Sequence, residues 1–437
     1  MSKFSLDSIG RALRHRNYRL FFIGQSISLI GTWMTQVATA WLVYRMTRSV
    51  VMLGVIGFSS QIATFLLAPA AGVLTDRWNR HRILVITQIL AMGQSLALAY
   101  LALSGLVTVW QIVFLSIAQG LINAFDLPAR QSFLVDLVTK KEDLSNAIAL
   151  NSSMFNGARL LGPPIAGFVI ALGGEGFCFL IDGISYLAVI GMLLAMRALP
   201  EKARPKKVRI TEEFAQGIRY AVGFVPIRYL LLFIAFISFV GMPYAVLMPA
   251  FAKETLHGDS HLYGLLMGAT GLGAFFGSIY LASRKSVRGL VGLAVRSSFV
   301  FGLGLMAVAV SRTVWFSLLL LFVIGLGMIL QVAATNTILQ TLVDDDKRGR
   351  VMSLFTMAFM GMYPWGSLAV GSCAGAIGIS ATFFLGGVAV LIGAALLWSQ
   401  LPQLRSVIRP IYVRMGIIPE VAAGMQTAAA LTEHPED

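Results

Sequence analysis

Charge is scarce in this chain: Asp, Glu, Lys and Arg make up 12% of its 437 residues, about half the share of a water-soluble protein. With 57% apolar residues beside it, that scarcity excludes an ordinary soluble protein of two or three domains. Cysteine is nearly absent too. Cys178 and Cys373 allow one disulfide at most, and their places near the ends of apolar runs fit buried free thiols better. No Gly-x-x-x-x-Gly-Lys-Ser/Thr loop occurs, which argues against ATP hydrolysis on this chain. No His/Cys cluster has metal-ligand spacing, so neither a metal nor a cofactor is implied, and no catalytic set points to an enzyme. The segment before the first apolar run is long and no clear small-residue cleavage site follows, so no removable signal is expected.

What is present is apolar length. Twelve blocks run approximately over 20–44, 52–74, 83–104, 109–125, 146–172, 177–196, 230–252, 263–282, 290–310, 314–339, 351–374 and 379–401. About twenty such residues cross the ~30 Å hydrocarbon core as a helix. Backbone groups in lipid must be satisfied internally, and no ten-residue alternation suggests a barrel, so the spans are helices. The net charge of +14 could suggest nucleic acid, but its placement argues otherwise. If both ends are cytoplasmic, 27 of the 34 Lys and Arg fall inside, while only Arg45, Arg48, Lys253 and Arg312 fall outside. That asymmetry places both termini in the cytoplasm and assigns the basic excess to topology and anionic membrane lipid.

The one long polar connection, between Arg197 and Arg228, splits the spans six and six. Expected units are an N-terminal segment 1–19, a bundle 20–196, a linker 197–229, a bundle 230–401 and a cytoplasmic tail 402–437. In the linker, residues 210–222 predict a short surface helix with a weak stripe of Phe214, Ile218 and Ala221. The halves echo each other at an offset near 204. Gly162-Pro163-Pro164-Ile165-Ala166-Gly167 falls opposite Gly366-Ser367-Leu368-Ala369-Val370-Gly371, and Gly72 falls opposite Gly277. This pattern predicts a duplicated six-helix bundle.

At the foot of the second run stands Gly72-Val73-Leu74-Thr75-Asp76-Arg77-Trp78-Asn79-Arg80. The glycine permits close helix approach, Asp76 suits a helix N-terminus, and Arg77, Arg80 and Arg82 can hold the turn and pair with an acid elsewhere. The pattern resembles the loop 2–3 signature of the major facilitator superfamily, with Asn79 and His81 as departures. There it latches the two halves on the cytoplasmic side when the transporter faces outward. Gly162, Pro163 and Gly167 resemble the superfamily's antiporter motif, with Ala166 replacing one glycine; the expected partner is the eighth span, through Gly268, Gly273 and Gly277. The stretches 146–159 and 348–366 are similar to the secretion-effector branch, with its enterobactin exporters and macrolide-efflux relatives. The resemblance implies an all-α membrane protein of twelve transmembrane helices in two pseudo-symmetric six-helix bundles, in a bacterial cytoplasmic membrane, most simply a monomer.

Ionisable residues inside spans are functional candidates because they are costly there unless paired. Asp126 and Arg130 lie one turn apart in the fourth span, and Arg159 lies in the fifth. Helical rise puts Asp126 ~25 Å and Arg159 ~20 Å from the outer ends, depths that allow a pair between neighbouring helices. Asp182, ~8 Å in by the same rise, is either a proton site or a hydrated vestibule carboxylate. Many proton antiporters of this superfamily carry an arginine where Ser116 precedes Gln119-Gly120. The expected cavity lining is Trp33, Gln36, Gln119, Asn123, Tyr244, Gln331 and Asn336, which suits a large, partly aromatic small molecule. Together these features predict proton-driven export of a siderophore, macrolide or similar amphiphile. An importer or lipid-flipping carrier of the same fold, and a non-transporting sensor or scaffold, are the alternatives.

Overall fold

The structure is a computed structural model that describes residues 10–138, 140–197, 210–284 and 286–414. Among the described residues all regular structure is helical. Six long helices form the first half: α1 (Arg16–Thr47), α2 (Val50–Arg77), α3 (Arg80–Leu103), α4 (Val109–Asp136), α5 (Leu144–Gly173) and α6 (Glu175–Leu194). The second half holds α7, which starts as Val225–Val240, then α8 (Ser260–Ser283), α9 (Leu290–Val310), α10 (Val314–Leu342), α11 (Asp345–Ile377) and α12 (Ile379–Ser399). Ten of these are long and apolar enough to cross a membrane by composition. The more polar α1 and α11, at 32 and 33 residues, complete the set of twelve.

Local chemistry sets the helix ends. Ser49, Asn79 and Asp259 accept from the backbone at Met52, Arg82 and Leu262, and Thr108 with Gln111 forms a reciprocal cap on α4. Gly174 joins α5 to α6 at φ +89°, and Gly378 joins α11 to α12 at φ +87°. Only glycine takes that conformation without strain, and these two positions are again 204 apart. The α7 span departs from α-helix midway. After Gly241 it runs as a 3-10 stretch over Met242–Leu247, one turn over Met248–Ala250 and a π turn over Phe251–Thr255. Pro243 and Pro249 remove donors there, and such backbone is tolerated at membrane depth only where protein or a cavity surrounds it.

We call the side carrying the α6–α7 linker the terminal side and the opposite one distal. The halves meet along two seams, α5 against α8 and α2 against α11. Both are built from glycine. A Cβ at Gly264 would lie 2.5 Å from the Pro163 carbonyl oxygen and 3.0 Å from Gly167 Cα. On the other seam, a Cβ at Gly54 would lie 2.6 Å from the Ser367 carbonyl oxygen and 3.1 Å from Gly371 Cα. The duplication is thus carried into the packing: Gly167 meets α8 as Gly371 meets α2, and Gly162 meets α1 at Trp33 as Gly366 meets Pro243 of α7. Two aromatic contacts and one hydrogen bond add to the seams. Trp41 stacks on Tyr263 at 6.0 Å, Phe58 meets Trp365 edge-on at 5.2 Å, and Tyr44 donates to Glu254.

Several expectations are corrected by helix rotation. Gly268 faces Pro164 of α5, but Gly273 and Gly277 face Phe322, Leu326 and Ile329 of α10. Five residues turn a helix by about 140° beyond a full turn, so the glycines at 268 and 273 cannot share a face. The α8 face toward α5 is Gly264, Gly268 and Gly271. The linker helix, Ile210–Gly223, buries Ala221 but leaves Ile218 41% exposed, because its contact face carries Gly217 against Arg350 and Tyr220 under Lys347. Phe214's side chain lies outside the described residues. The tail begins with a helix, Leu401–Arg414, whose Leu401, Leu404, Ile408 and Tyr412 are buried; that three-and-four spacing is legible in the sequence. Both cysteines are free thiols, and only Cys178 is fully buried.

Gly264→Val forces the α5–α8 backbones apart and costs about 1–3 kcal/mol. Its melting midpoint in detergent falls relative to Gly93→Ala, whose added Cβ meets nothing within 4 Å. Equal midpoints would show that the seam tolerates separation.

Candidate functional site

Below the distal closure, side chains from four helices converge at mid-depth. Arg159 of α5 lies with its guanidinium 5.8 Å from the Trp33 ring centroid of α1. It interacts electrostatically with Tyr244 on the 3-10 stretch of α7 and Tyr363 on α11. Arg159 is 14 residues from the end of α5 and Tyr363 is 14 from the end of α11, which puts both ~21 Å in. Phe155, one turn below, packs edge-on to Trp33 at 5.9 Å. On the same α5 face, Phe155, Ser152 and Ile148 are exposed, so the chamber opens to the terminal side. Sequence reasoning missed Tyr363 and Phe155; Pro364 beside Tyr363 was the one available signal.

Prolines place the arginine. Pro163 and Pro164 have no N–H, so the carbonyls of Arg159 and Leu160 lose their intrahelical partners while α5 continues unbroken. The freed Arg159 carbonyl instead lies against Gly271 of α8, where a Cβ would be 2.8 Å away. Close Cα–H···O contacts of this kind recur between packed helices. The Gly162-Pro163-Gly167 segment therefore does two things: it seats α5 on α1 and α8, and it fixes the depth of Arg159.

The expected pairing of Asp126 with Arg159 does not form. Asp126 is buried in α4 and bonded to Arg130 on its own helix, with Thr87 Oγ1 donating at 2.9 Å and Gln88 Nε2 at 2.8 Å from α3. Its side chain is met by α3 and by Arg130 of α4, so its charge is answered inside the first bundle. Among the described residues Arg159 has no carboxylate partner.

Asp182 is only 2% exposed, which overturns the hydrated-vestibule alternative. Thr35 Oγ1 of α1 donates to its Oδ2 at 2.8 Å, and Ser95 Oγ of α3 lies 3.0 Å from the same oxygen. Oδ1 has no hydrogen-bond partner and sits where a Cβ on Gly31 would be 2.7 Å away. No cation faces it among the described residues.

The other expected positions divide. Gln36 is exposed on α1, while Gln119 donates to Asn123 at 3.1 Å and Gln340 donates to Asn336 at 3.0 Å. Tyr244 is buried against Phe301 at 6.1 Å. Gln331 is not a lining residue: it is fully buried among α10's neighbours, and neither amide atom has a partner. Ser116 is buried in α4. On the terminal side, Arg80 donates to Asp136 at 2.8 Å, which ties the α2–α3 turn to the end of α4. The side chains of Gly72, Asp76 and Arg77 lie outside the described residues. Asn79 caps α3, so the departure from glycine has a structural use.

The family model described as transmembrane secretion effector matches residues 10–412. The chain belongs to that family. It is a major facilitator transporter, not an enzyme, and a multi-pass membrane protein. The staphyloferrin A transporter of Staphylococcus aureus is 27% identical over 383 residues, 85% of this chain and 93% of that one. Macrolide efflux protein A of Streptococcus pyogenes is 21% identical, over 86% of this chain and 95% of that one. Among solved structures, the nucleoside transporter NupG matches at 14% identity with a TM-score of 0.67, covering 89% of this chain and 99% of that one. A bacterial homologue of the lysosomal transporter Spinster matches at 15% identity and a TM-score of 0.66, covering 88% and 96%. At those identities the structures show the fold alone.

Asp126→Asn strands Arg130, whose side chain is 24% exposed, and costs on the order of 3 kcal/mol. Removing both charges, as Asp126→Leu with Arg130→Leu, recovers much of that loss in melting midpoint. A double variant no better than the single one would mean the pair is not a mutual neutralisation.

Proposed function

We propose that this transporter exports a siderophore, macrolide or similar amphiphile across a bacterial cytoplasmic membrane by alternating access coupled to proton antiport. The terminal side is then the cytoplasm, supported by the one-sided placement of Lys and Arg. Relatives named for staphyloferrin A transport and macrolide efflux support the substrate class. The mid-depth chamber between two glycine seams supports a fixed site served alternately from each side. Both bundles lie in one chain, so a monomer suffices. Arg80 with Asp136 fixes the end of α2 within the first bundle, and from there the Gly72-Asp76-Arg77 segment would latch onto the second half when the terminal side shuts.

The observation that carries proton coupling is the setting of Asp182. A hydroxyl has one proton to give. Ser95 Oγ lies 3.0 Å from Asp182 Oδ2 and 3.0 Å from the Phe179 carbonyl oxygen. When Asp182 is ionised, Ser95 donates to the carboxylate. When Asp182 is protonated, the acid donates to Ser95, which turns its own proton to Phe179. Both protonation states are hydrogen-bonded with the heavy atoms in place, yet the ionised one is a buried charge without a cation, which is costly. Thr35 and Gly31, which touch Asp182, flank Trp33 on α1. The proton therefore acts on the helix that carries the chamber's aromatic floor. Asp126 cannot serve the same way, because Arg130 holds its charge.

In everted vesicles with an imposed pH gradient, accumulation of a carboxylate-bearing siderophore should require Asp182. Asp182→Asn should lower it to the level of vesicles without the protein, while passive siderophore exchange continues. Accumulation that survives gradient collapse, or that Asp182→Asn leaves intact, would exclude this coupling.

A further inference from the structure

We propose that Arg159 is the anchor for a carboxylate of the transported molecule, which makes the substrate class an organic anion with an aromatic or apolar body. The proposal rests on the transporter reading above and names what the chamber selects.

A guanidinium at mid-membrane depth is costly unless something meets its charge. Here the protein supplies only part of that. The guanidinium carbon lies over the Trp33 ring, a cation–π contact. Tyr244 and Tyr363 lie within electrostatic reach but are neutral phenols. The carboxylates described in the bundle interior and at the distal rim are committed elsewhere: Asp126 to Arg130, Asp182 to Thr35 and Ser95, Glu175 to Arg45 and Glu254 to Tyr44. The packing of α5 on α1 and α8 nonetheless holds Arg159 at the level where both halves converge. The planar fork of N–H donors matches a carboxylate edge-on, in two parallel charge-assisted bonds. A carboxylate there completes the pair left open among the described residues. Trp33, Phe155 and the two tyrosines surround that point with aromatic surface for the rest of the molecule.

An arginine so placed also gives the substrate a part in the conformational change. Without an anion, Arg159 sits in a chamber open to the terminal side, where water can hydrate it. With the anion bound, charge is neutralised at the seam, and closing the terminal side no longer buries a lone cation.

Binding tests this without any flux measurement. Equilibrium dialysis of the full chain in lipid nanodiscs, at neutral pH, compares 1-naphthoate with the isosteric but uncharged 1-naphthamide and the cationic 1-naphthylmethylamine. Naphthoate should bind the unaltered protein about tenfold to a hundredfold more tightly than the amide, the range of a charge-assisted bond made in a desolvated site, and the amine most weakly. Arg159→Gln should bring acid and amide to the same affinity, and Arg159→Lys, with charge but no fork, should fall between. Equal binding of acid and amide to the unaltered protein overturns the assignment, as does an undiminished preference in Arg159→Gln. The charge series on the unaltered protein carries the test even where the variant does not fold. An acid preference without proton-driven flux would leave Arg159 assigned and remove the antiport; normal flux without the preference would do the reverse.

Discussion

Backbone contact at glycine is the constraint on which the rest of this molecule depends. In lipid there is no hydrophobic gain in pressing two apolar helices together, so association relies on packing that only small residues allow. Both seams meet that need with paired glycines near the distal ends, Gly167 on Gly264 and Gly54 on Gly371. A seam of this kind is tight yet nearly featureless. It resists separation through dispersion but offers few side-chain interlocks against pivoting. The chamber beneath the seams, with its opening toward the terminal side, follows from where they close.

The low-dielectric interior then sorts the charged groups by what they can reach. Asp126 has Arg130 one turn away and two donors on α3, and it is neutralised in place. Asp182 has hydroxyls but, among the described residues, no cation, so its two protonation states differ in charge without differing much in hydrogen bonding. Arg159 has aromatic rings and, among the described residues, no acid. Three charged groups within or beside apolar runs thus take three different roles. Position relative to neighbouring helices makes the difference.

Much of the architecture was legible beforehand because it depends on length and repetition. Spans need about twenty apolar residues whatever surrounds them, and a duplicated sequence keeps its offset: Gly162, Gly167 and Gly174 recur at 366, 371 and 378 with equivalent packing or backbone geometry. The chamber was legible only in part. Trp33, Tyr244 and Arg159 were named, whereas Tyr363 and Phe155 were not, and Gln331 was placed in the lining although it is buried. Aromatics are common throughout such a chain, so nothing in their neighbourhood separates a lining ring from a lipid-facing one.

What the sequence determined by itself is the number of spans, their order and the internal duplication, because those follow from hydrophobic length and from counting residues. What only the tertiary structure decided is rotation: which side of α8 meets α5, whether Asp126 looks toward Arg130 or Arg159, and which hydroxyls reach Asp182. Each residue turns a helix by about 100°, and a span that is apolar nearly all round carries no stripe to announce its buried face. Only contact with neighbouring helices selects one rotation, and the chemistry of this protein lies in that choice.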